Sequence, residues 1–338
     1  MIPHNKLTLK REERLCAERV IKSGWIAQGR EVELFENEMC NFLKLPKSHA
    51  VAVSSCSMAM FVALTVLKVK QKTVGMPVYV SRVLRGAAAT AGAKEKLFDI
   101  NRMDPNINIS DVRKSPPDFL IVPHMYGIPV DLSGYSKSIV IENCAHSLGA
   151  CVNNQPTGTI KDVGVLSFQA TKLITSGGMG GMIVSKNREF IKKARDYRDF
   201  DESRNHVPNL NVKMTDIHAS IGRMQLSKLK SFIEKRKKIF NIYSDAGLSL
   251  LGNDLSKNLK PVRYRAVIRT SNPKKIIDKL NSNKIRSIIP IEKWELLSGK
   301  SKFKNSIRMT EETLSLPIYP TLSLKDAKRI AQIAADTK

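Results

Sequence analysis

Seven short apolar runs recur through the first two thirds of the chain, at 49–53, 75–80, 96–99, 119–123, 139–142, 163–168 and 182–185. Stretches with helix-compatible spacing separate several of them, among them 57–69 and 83–91. Runs this short and this uniformly apolar are buried on both faces. That is the pattern of strands in a mostly parallel sheet with helices packed on either side, an α/β fold. In such sheets ligand groups gather beyond the C-terminal ends of the strands, so the residues that follow each run are the first place to look for chemistry.

Beyond residue 213 the pattern changes. A single long helix is expected over 214–243, running into the basic stretch Glu234-Lys-Arg-Lys-Lys. Shorter elements follow at 264–268 and 274–281, with a closing helix from Ser323. This reads as a large domain over 1–235, with an N-terminal segment that packs on its neighbour, and a smaller α+β domain over 236–338. The 338 residues, 42% of them hydrophobic, supply such cores without disulfide or metal staples. The five cysteines are odd in number and never form a CxxC pair, so no disulfide framework or zinc site is expected, and Cys144 and Cys151 read as packing residues. No stretch approaches the roughly 18 unbroken apolar residues of a membrane span. The first residues lack the apolar core of a signal peptide, so a cytoplasmic protein is expected. The formal net charge of +25 favours anionic partners, whether nucleic acid, membrane surface or phosphorylated small molecule.

Three strand ends carry candidate chemistry. Ser54-Ser-Cys-Ser opens a helix after the first run, either as an ordinary N-cap or as an anion site made of free N–H groups. Ile139-Val-Ile-Glu-Asn-Cys-Ala-His runs off a strand into polar residues. Ser167 and Lys172 follow another strand, with Gly177, Gly178, Gly180 and Gly181 just beyond. A lysine in that position serves as a phosphate contact, a solvated surface group or a covalent amine nucleophile, and position alone leaves the three open. His124 and Tyr126 read either as substrate contacts or as polar groups at the core edge, and His218 as structural.

Taken in order, these segments resemble the DegT/DnrJ/EryC1/StrS family of sugar aminotransferases. The resemblance rests on Gly24-Trp-Ile-Ala-Gln-Gly, Ser55-Cys-Ser, Val122-Pro-His-Met-Tyr-Gly, Ile141-Glu-Asn-Cys-Ala-His, Ser167-Phe-Gln-Ala-Thr-Lys, Asn211-Val-Lys-Met-Thr-Asp and Leu316-Pro-Ile-Tyr-Pro, and it covers nearly the whole chain. It implies the fold type I architecture, a three-layer αβα large domain with a small C-terminal domain, and pyridoxal 5′-phosphate as cofactor. It implies Lys172 as the catalytic amine that carries the cofactor. By the same resemblance Cys56, Ser57 and Ser167 hold the phosphate, His146 contacts the ring hydroxyl, and Asn211 reaches the phosphate of a partner subunit in a homodimer with shared sites. It further implies a keto sugar linked to a nucleoside diphosphate as substrate and glutamate as amino donor.

The chain also departs from the family. The aspartate that pairs with the pyridine nitrogen is replaced by Asn143, and the aromatic that stacks on the ring by Ser81. Glu142 is not expected to substitute, because neighbouring strand residues face opposite ways. The small-domain loop Ile289-Pro-Ile-Glu-Lys-Trp lacks the family's histidine. A working aminotransferase with altered cofactor electronics is therefore weighed against a member that binds cofactor or sugar nucleotide but transaminates poorly or does different chemistry. Nucleic-acid binding rests on the charge alone, with no aromatic-basic recognition motif to support it.

Overall fold

A computed structural model describes residues 1–201 and 209–337. The chain begins with α1 (Arg11–Lys22) and α2 (Arg30–Phe42), then enters β1 (Ala50–Val53), α3 (Cys56–Val66), β2 (Thr73–Pro77), α4 (Val83–Thr90) and β3 (Lys94–Phe98). It continues through α5 (Ile109–Lys114), β4 (Phe119–Pro123), β5 (Ile139–Asn143) and the short β6 (Cys151–Val152) and β7 (Gln155–Pro156). Then come β8 (Val163–Ser167), β9 (Gly181–Val184), α6 (Arg188–Arg198) and the long α7 (Asp216–Asp245). The remainder holds β10 (Leu259–Lys260), β11 (Ala266–Arg269), α8 (Pro273–Ser282), α9 (Lys304–Glu311), β12 (Thr313–Leu316) and α10 (Leu324–Ala335). Among the described residues no helix is long and apolar enough to cross a membrane.

The seven apolar runs become one seven-stranded sheet, ordered β1-β9-β8-β5-β4-β2-β3. Every neighbour pair from β8 to β3 is parallel, and β9 alone runs against its neighbours. Alternation along each strand feeds two cores. Val51 and Val53 face a cluster built with α3, α4 and α6, while Ala50 and Ala52 face one built with α2 and the first half of α7. The result is the three-layer αβα arrangement expected from the sequence.

Helix α7 has 30 residues, about 45 Å of helix, and runs without a break through residue 235. Its second half, with Ile239, Phe240 and Tyr243, enters a separate apolar cluster with the antiparallel pair β11–β12, α8 and α10. Ile2 packs against this cluster and pairs with Ile285. The start of α7 also serves a second helix. Gly29 at the N-cap of α2 has no side chain, and the Asp216 carboxylate accepts instead from the N–H groups of Gly29, Glu31 and Val32 at 2.8, 3.2 and 3.1 Å. Helix α1, α2 and α6 were not among the elements marked out from sequence.

Strand β5 is anchored from behind by a fully buried carboxylate. Glu142 accepts from the backbone N–H groups of Gly158, Ile160 and Lys161 at 2.9, 2.8 and 2.9 Å. His124 Nδ1 accepts from Val130 N, so its proton sits on Nε2 and is donated to Glu142 at 3.0 Å. Glu142→Ala leaves those donors buried without an acceptor, which is expected to cost about 3 kcal/mol or more. The urea unfolding midpoint checks this, and a midpoint equal to that of the wild type contradicts it.

Candidate active site

The carboxyl ends of β1, β4, β5 and β8 open into a cavity of about 460 Å³. It is lined by Cys56, Ser57, Asn143, His146, Ser167 and Lys172, which therefore meet in one place although they span more than a hundred positions of sequence. Asn211 lies outside it: exposed, with its Oδ1 accepting from Lys213 N at 3.2 Å, on a segment whose Val212 carbonyl accepts from Ser54 N. A hollow of about 500 Å³ between α1, α2 and α7 is slightly larger. Its charged groups already pair with one another, Arg19 with Glu31 and Arg223 with both Glu31 and Glu38, so among the described residues its lining holds no unpaired charge.

The first wall is the start of α3. Ser55 caps the helix by accepting from Met58 N at 3.2 Å, and Ala59 N bonds the Ser55 carbonyl. Among the described residues, no protein acceptor meets the N–H groups of Cys56 and Ser57. These donors and the positive end of the helix face the cavity, which makes an anion seat. Gly181 on β9 keeps this turn in place by having no side chain: a Cβ there would lie 2.4 Å from the Ser55 carbonyl carbon and 2.6 Å from Cys56 N. Burial pushes the Cys56 thiol up to about 11, although the Lys172 charge and the Ser167 hydroxyl oppose the shift.

The opposite wall is organised by Tyr264, a residue that carried no functional mark in the sequence. His146 stacks on its ring, centroids 4.2 Å apart and planes 16° from parallel. Its hydroxyl donates to the Thr171 carbonyl at 3.3 Å, one residue from Lys172. Three cations surround the ring, with Lys172 Nζ at 5.6 Å from the centroid and the Arg265 and Arg236 guanidinium carbons at 5.7 and 5.9 Å. Burial alone would push the Tyr264 hydroxyl up, but these charges and the Thr171 contact outweigh it and hold the group below its ordinary value. Burial, reinforced by Lys172 and Arg265, holds His146 well below the ordinary 6.5, so its ring is neutral. Gly127, at φ +83, lets the turn after β4 reach this wall: a Cβ there would lie 2.9 Å from Tyr264 N.

Asn143 projects into the cavity from the end of β5. Its Oδ1 accepts from Ala145 N at 3.1 Å, and because a backbone N–H must meet an oxygen, the amide NH2 is the group left facing the cavity. Glu142 points the other way, as the alternation of the strand requires. His124 borders the cavity, yet both its ring nitrogens are committed, and the Tyr126 hydroxyl is paired with that of Tyr79 at 2.7 Å. His124 is therefore held as a core-edge group, while Tyr126 stands in the lining with its hydroxyl shared with Tyr79. The close grouping of His124, Glu142 and Cys144 is likewise a filled hydrogen-bond network. His218 meets Thr215 at the start of α7 and is part of a helix cap.

Residues 8–334 match the DegT/DnrJ/EryC1/StrS aminotransferase family. The GDP-perosamine synthase of Vibrio cholerae is 29% identical over 74% of this chain and 72% of its own. Among solved structures, the aminotransferase TlmJ from Streptoalloteichus hindustanus superposes with a TM-score of 0.93 at 24% identity, covering 100% of this chain and 98% of that one. The PLP-form of a sugar aminotransferase from Streptococcus pneumoniae, Spr1654, superposes at 0.90 and 20% identity over 99% and 98%. The chain belongs to the DegT/DnrJ/EryC1/StrS family; it has the fold type I architecture and is a pyridoxal-phosphate-dependent aminotransferase.

The cavity fits that cofactor. It offers an amine without an ion-pair partner among the described residues, two free N–H groups beside serine hydroxyls for a phosphate, and a planar ring wall. Ser81 lies in the lining where the family has an aromatic. One consequence concerns the thiol beside the phosphate seat. With its pKa near 11, Cys56 stays protonated at pH 8, so in the cofactor-free protein iodoacetamide is expected to modify it about 100-fold more slowly than a free cysteine. Peptide mass spectrometry over a pH series checks this, and labelling at the rate of free cysteine contradicts it.

Proposed function

We propose that the chain transfers an amino group, from glutamate, to a keto sugar linked to a nucleoside diphosphate. The observation that carries this reading is the meeting of Lys172, Asn143, His146, Ser167 and the free start of α3 around one cavity at the strand ends. The name of the Vibrio relative, a GDP-perosamine synthase, supports a nucleotide-linked sugar as the substrate class. Pyridoxal phosphate, when bound, supplies an aldehyde that takes up an amine and a conjugated ring that accepts electrons from the reacting carbon.

In this reading each residue has one task. The Lys172 amine holds the cofactor and, once displaced by the donor, carries protons at the reacting carbon. The N–H groups of Cys56 and Ser57 and the hydroxyls of Ser57 and Ser167 hold the phosphate. Neutral His146 stands beside the ring. Asn143 presents an amide N–H where the family has a carboxylate. Arg265, whose Nε is buried without a hydrogen-bond partner and whose only side-chain hydrogen bond among the described residues is a long one to His4, is left to receive a carboxylate of the donor. Asn211, exposed beyond the cavity, serves the site of a partner subunit, which makes the working unit a homodimer in the cytoplasm. The chain divides near residue 235, with the cavity between the sheet and the smaller C-terminal part.

The amide at Asn143 favours a second reading, an enzyme that holds cofactor and sugar nucleotide but transaminates slowly or does different chemistry. A neutral amide does not keep a pyridine nitrogen protonated by charge as a carboxylate does. The glutamate half-reaction separates the two. Glutamate is expected to change the visible spectrum of the loaded wild type, Asn143→Asp to accelerate the change, and Lys172→Ala to abolish it. A loaded wild type that leaves glutamate unreacted, with an Asn143→Asp variant that turns it over, establishes the second reading in place of the first.

A further inference from the structure

At the mouth of the cavity, opposite the buried machinery, the chain exposes an aromatic ring. Trp294 is 69% exposed and lines the same cavity as Lys172. Local packing accounts for the chain's other exposed tryptophan: Trp25 Nε1 donates to the Gln28 carbonyl at 3.1 Å, and the ring covers Gly29. Among the described residues, no hydrogen bond holds the indole nitrogen of Trp294. Its backbone, in contrast, is fixed on both sides. Glu292 N donates to Glu295 Oε2 at 2.7 Å to close a one-turn helix, and Leu297 N donates to the Val78 carbonyl at 3.1 Å, just past the end of β2.

The guanidinium of Arg82 lies against the indole, its carbon 5.4 Å from the ring centroid, and its Nη2 donates to the Trp294 carbonyl. Arg82 stands at the start of α4 and, among the described residues, has no carboxylate partner. A rigidly mounted indole with one side open, next to a guanidinium with hydrogen-bond donors to spare, complements a base joined to phosphates. The anion seat at α3 lies on another wall and belongs to the cofactor in the reading above, so the rim pair is free for a second phosphorylated molecule.

We propose that Trp294 and Arg82 form the nucleotide-reading rim of the site, the indole stacking on the base and the guanidinium binding the diphosphate of a nucleoside-diphosphate sugar. This rests on the substrate class proposed above. Stacking reads the flat face of a base rather than its edges, so the rim holds UDP, GDP and dTDP alike, and the choice among them falls to other groups.

The test uses the cofactor-loaded protein and four probes, UDP, GDP, dTDP and inorganic pyrophosphate, titrated by calorimetry. A Trp25→Phe background makes Trp294 the sole fluorophore of its kind and reports stacking as quenching. Trp294→Ala, at an exposed position that the fold does not need, is expected to weaken nucleoside diphosphates by about tenfold or more and to leave pyrophosphate unchanged. Trp294→Phe restores most of the loss, and Arg82→Gln weakens pyrophosphate and nucleotides together. Nucleotide affinity unchanged in Trp294→Ala overturns the rim while the substrate class stands. Pyrophosphate affinity unchanged in Arg82→Gln overturns the role of the guanidinium. A wild type that binds none of the three nucleotides overturns the substrate class and the rim with it.

Discussion

The site depends on a carboxylate that never touches it. Glu142 is buried with no exposed surface, and its two oxygens take three backbone N–H groups and the His124 ring. A buried charge is tolerated only when its hydrogen bonds are filled, so the loop at 158–161 and the turn after β4 are both committed to this point. Because strand residues alternate, fixing Glu142 behind the sheet fixes Asn143 in front of it. The orientation of the residue that most distinguishes this chain from its family is thereby set from the far side of the sheet.

The second dependence runs through Tyr264. Its ring stacks on His146 from the β5 side, its hydroxyl reaches the segment that carries Lys172, and it sits two residues before β11, which belongs to the C-terminal cluster. Arg236, from the second half of α7, donates to the carbonyls of Tyr264 and Ile318 at 3.0 and 2.7 Å, and among the described residues no carboxylate pairs with it. The surroundings of the Tyr264 ring are thus cationic by construction: Lys172, Arg265 and Arg236 gather around it, and among the described residues none of the three pairs with a carboxylate. Such a wall attracts anions, and its charges add to the burial that holds His146 neutral. The surplus of basic residues in the whole chain has a local counterpart at the point where anionic ligands are expected.

The sheet was legible because its strands are buried on both faces, and uniform apolar runs leave little ambiguity. Helices α1, α2 and α6 were not, since charged residues interrupt the apolar stripes by which Val20, Val32, Phe35, Met39, Phe190 and Ala194 reach the core. The cap of α2 by Asp216 was beyond reach because donor and acceptor lie almost two hundred positions apart. The same distinction divides the site. Ser57, Asn143, His146, Ser167 and Lys172 each follow a recognisable strand end, so local pattern located them. Tyr264 and Arg265 sit in a segment that carried no functional mark, and Arg82 and Trp294 in segments noted only for family residues this chain lacks; they acquire meaning only when three distant stretches fold onto one cavity. Asn211 came from the family resemblance alone, and it lies outside this cavity.

The most direct measurement is where the cofactor attaches. Loaded protein reduced with borohydride, digested and mapped by mass spectrometry is predicted to carry one phosphopyridoxyl group, on the peptide that contains Lys172. Modification scattered over other lysines, or none at all, contradicts it.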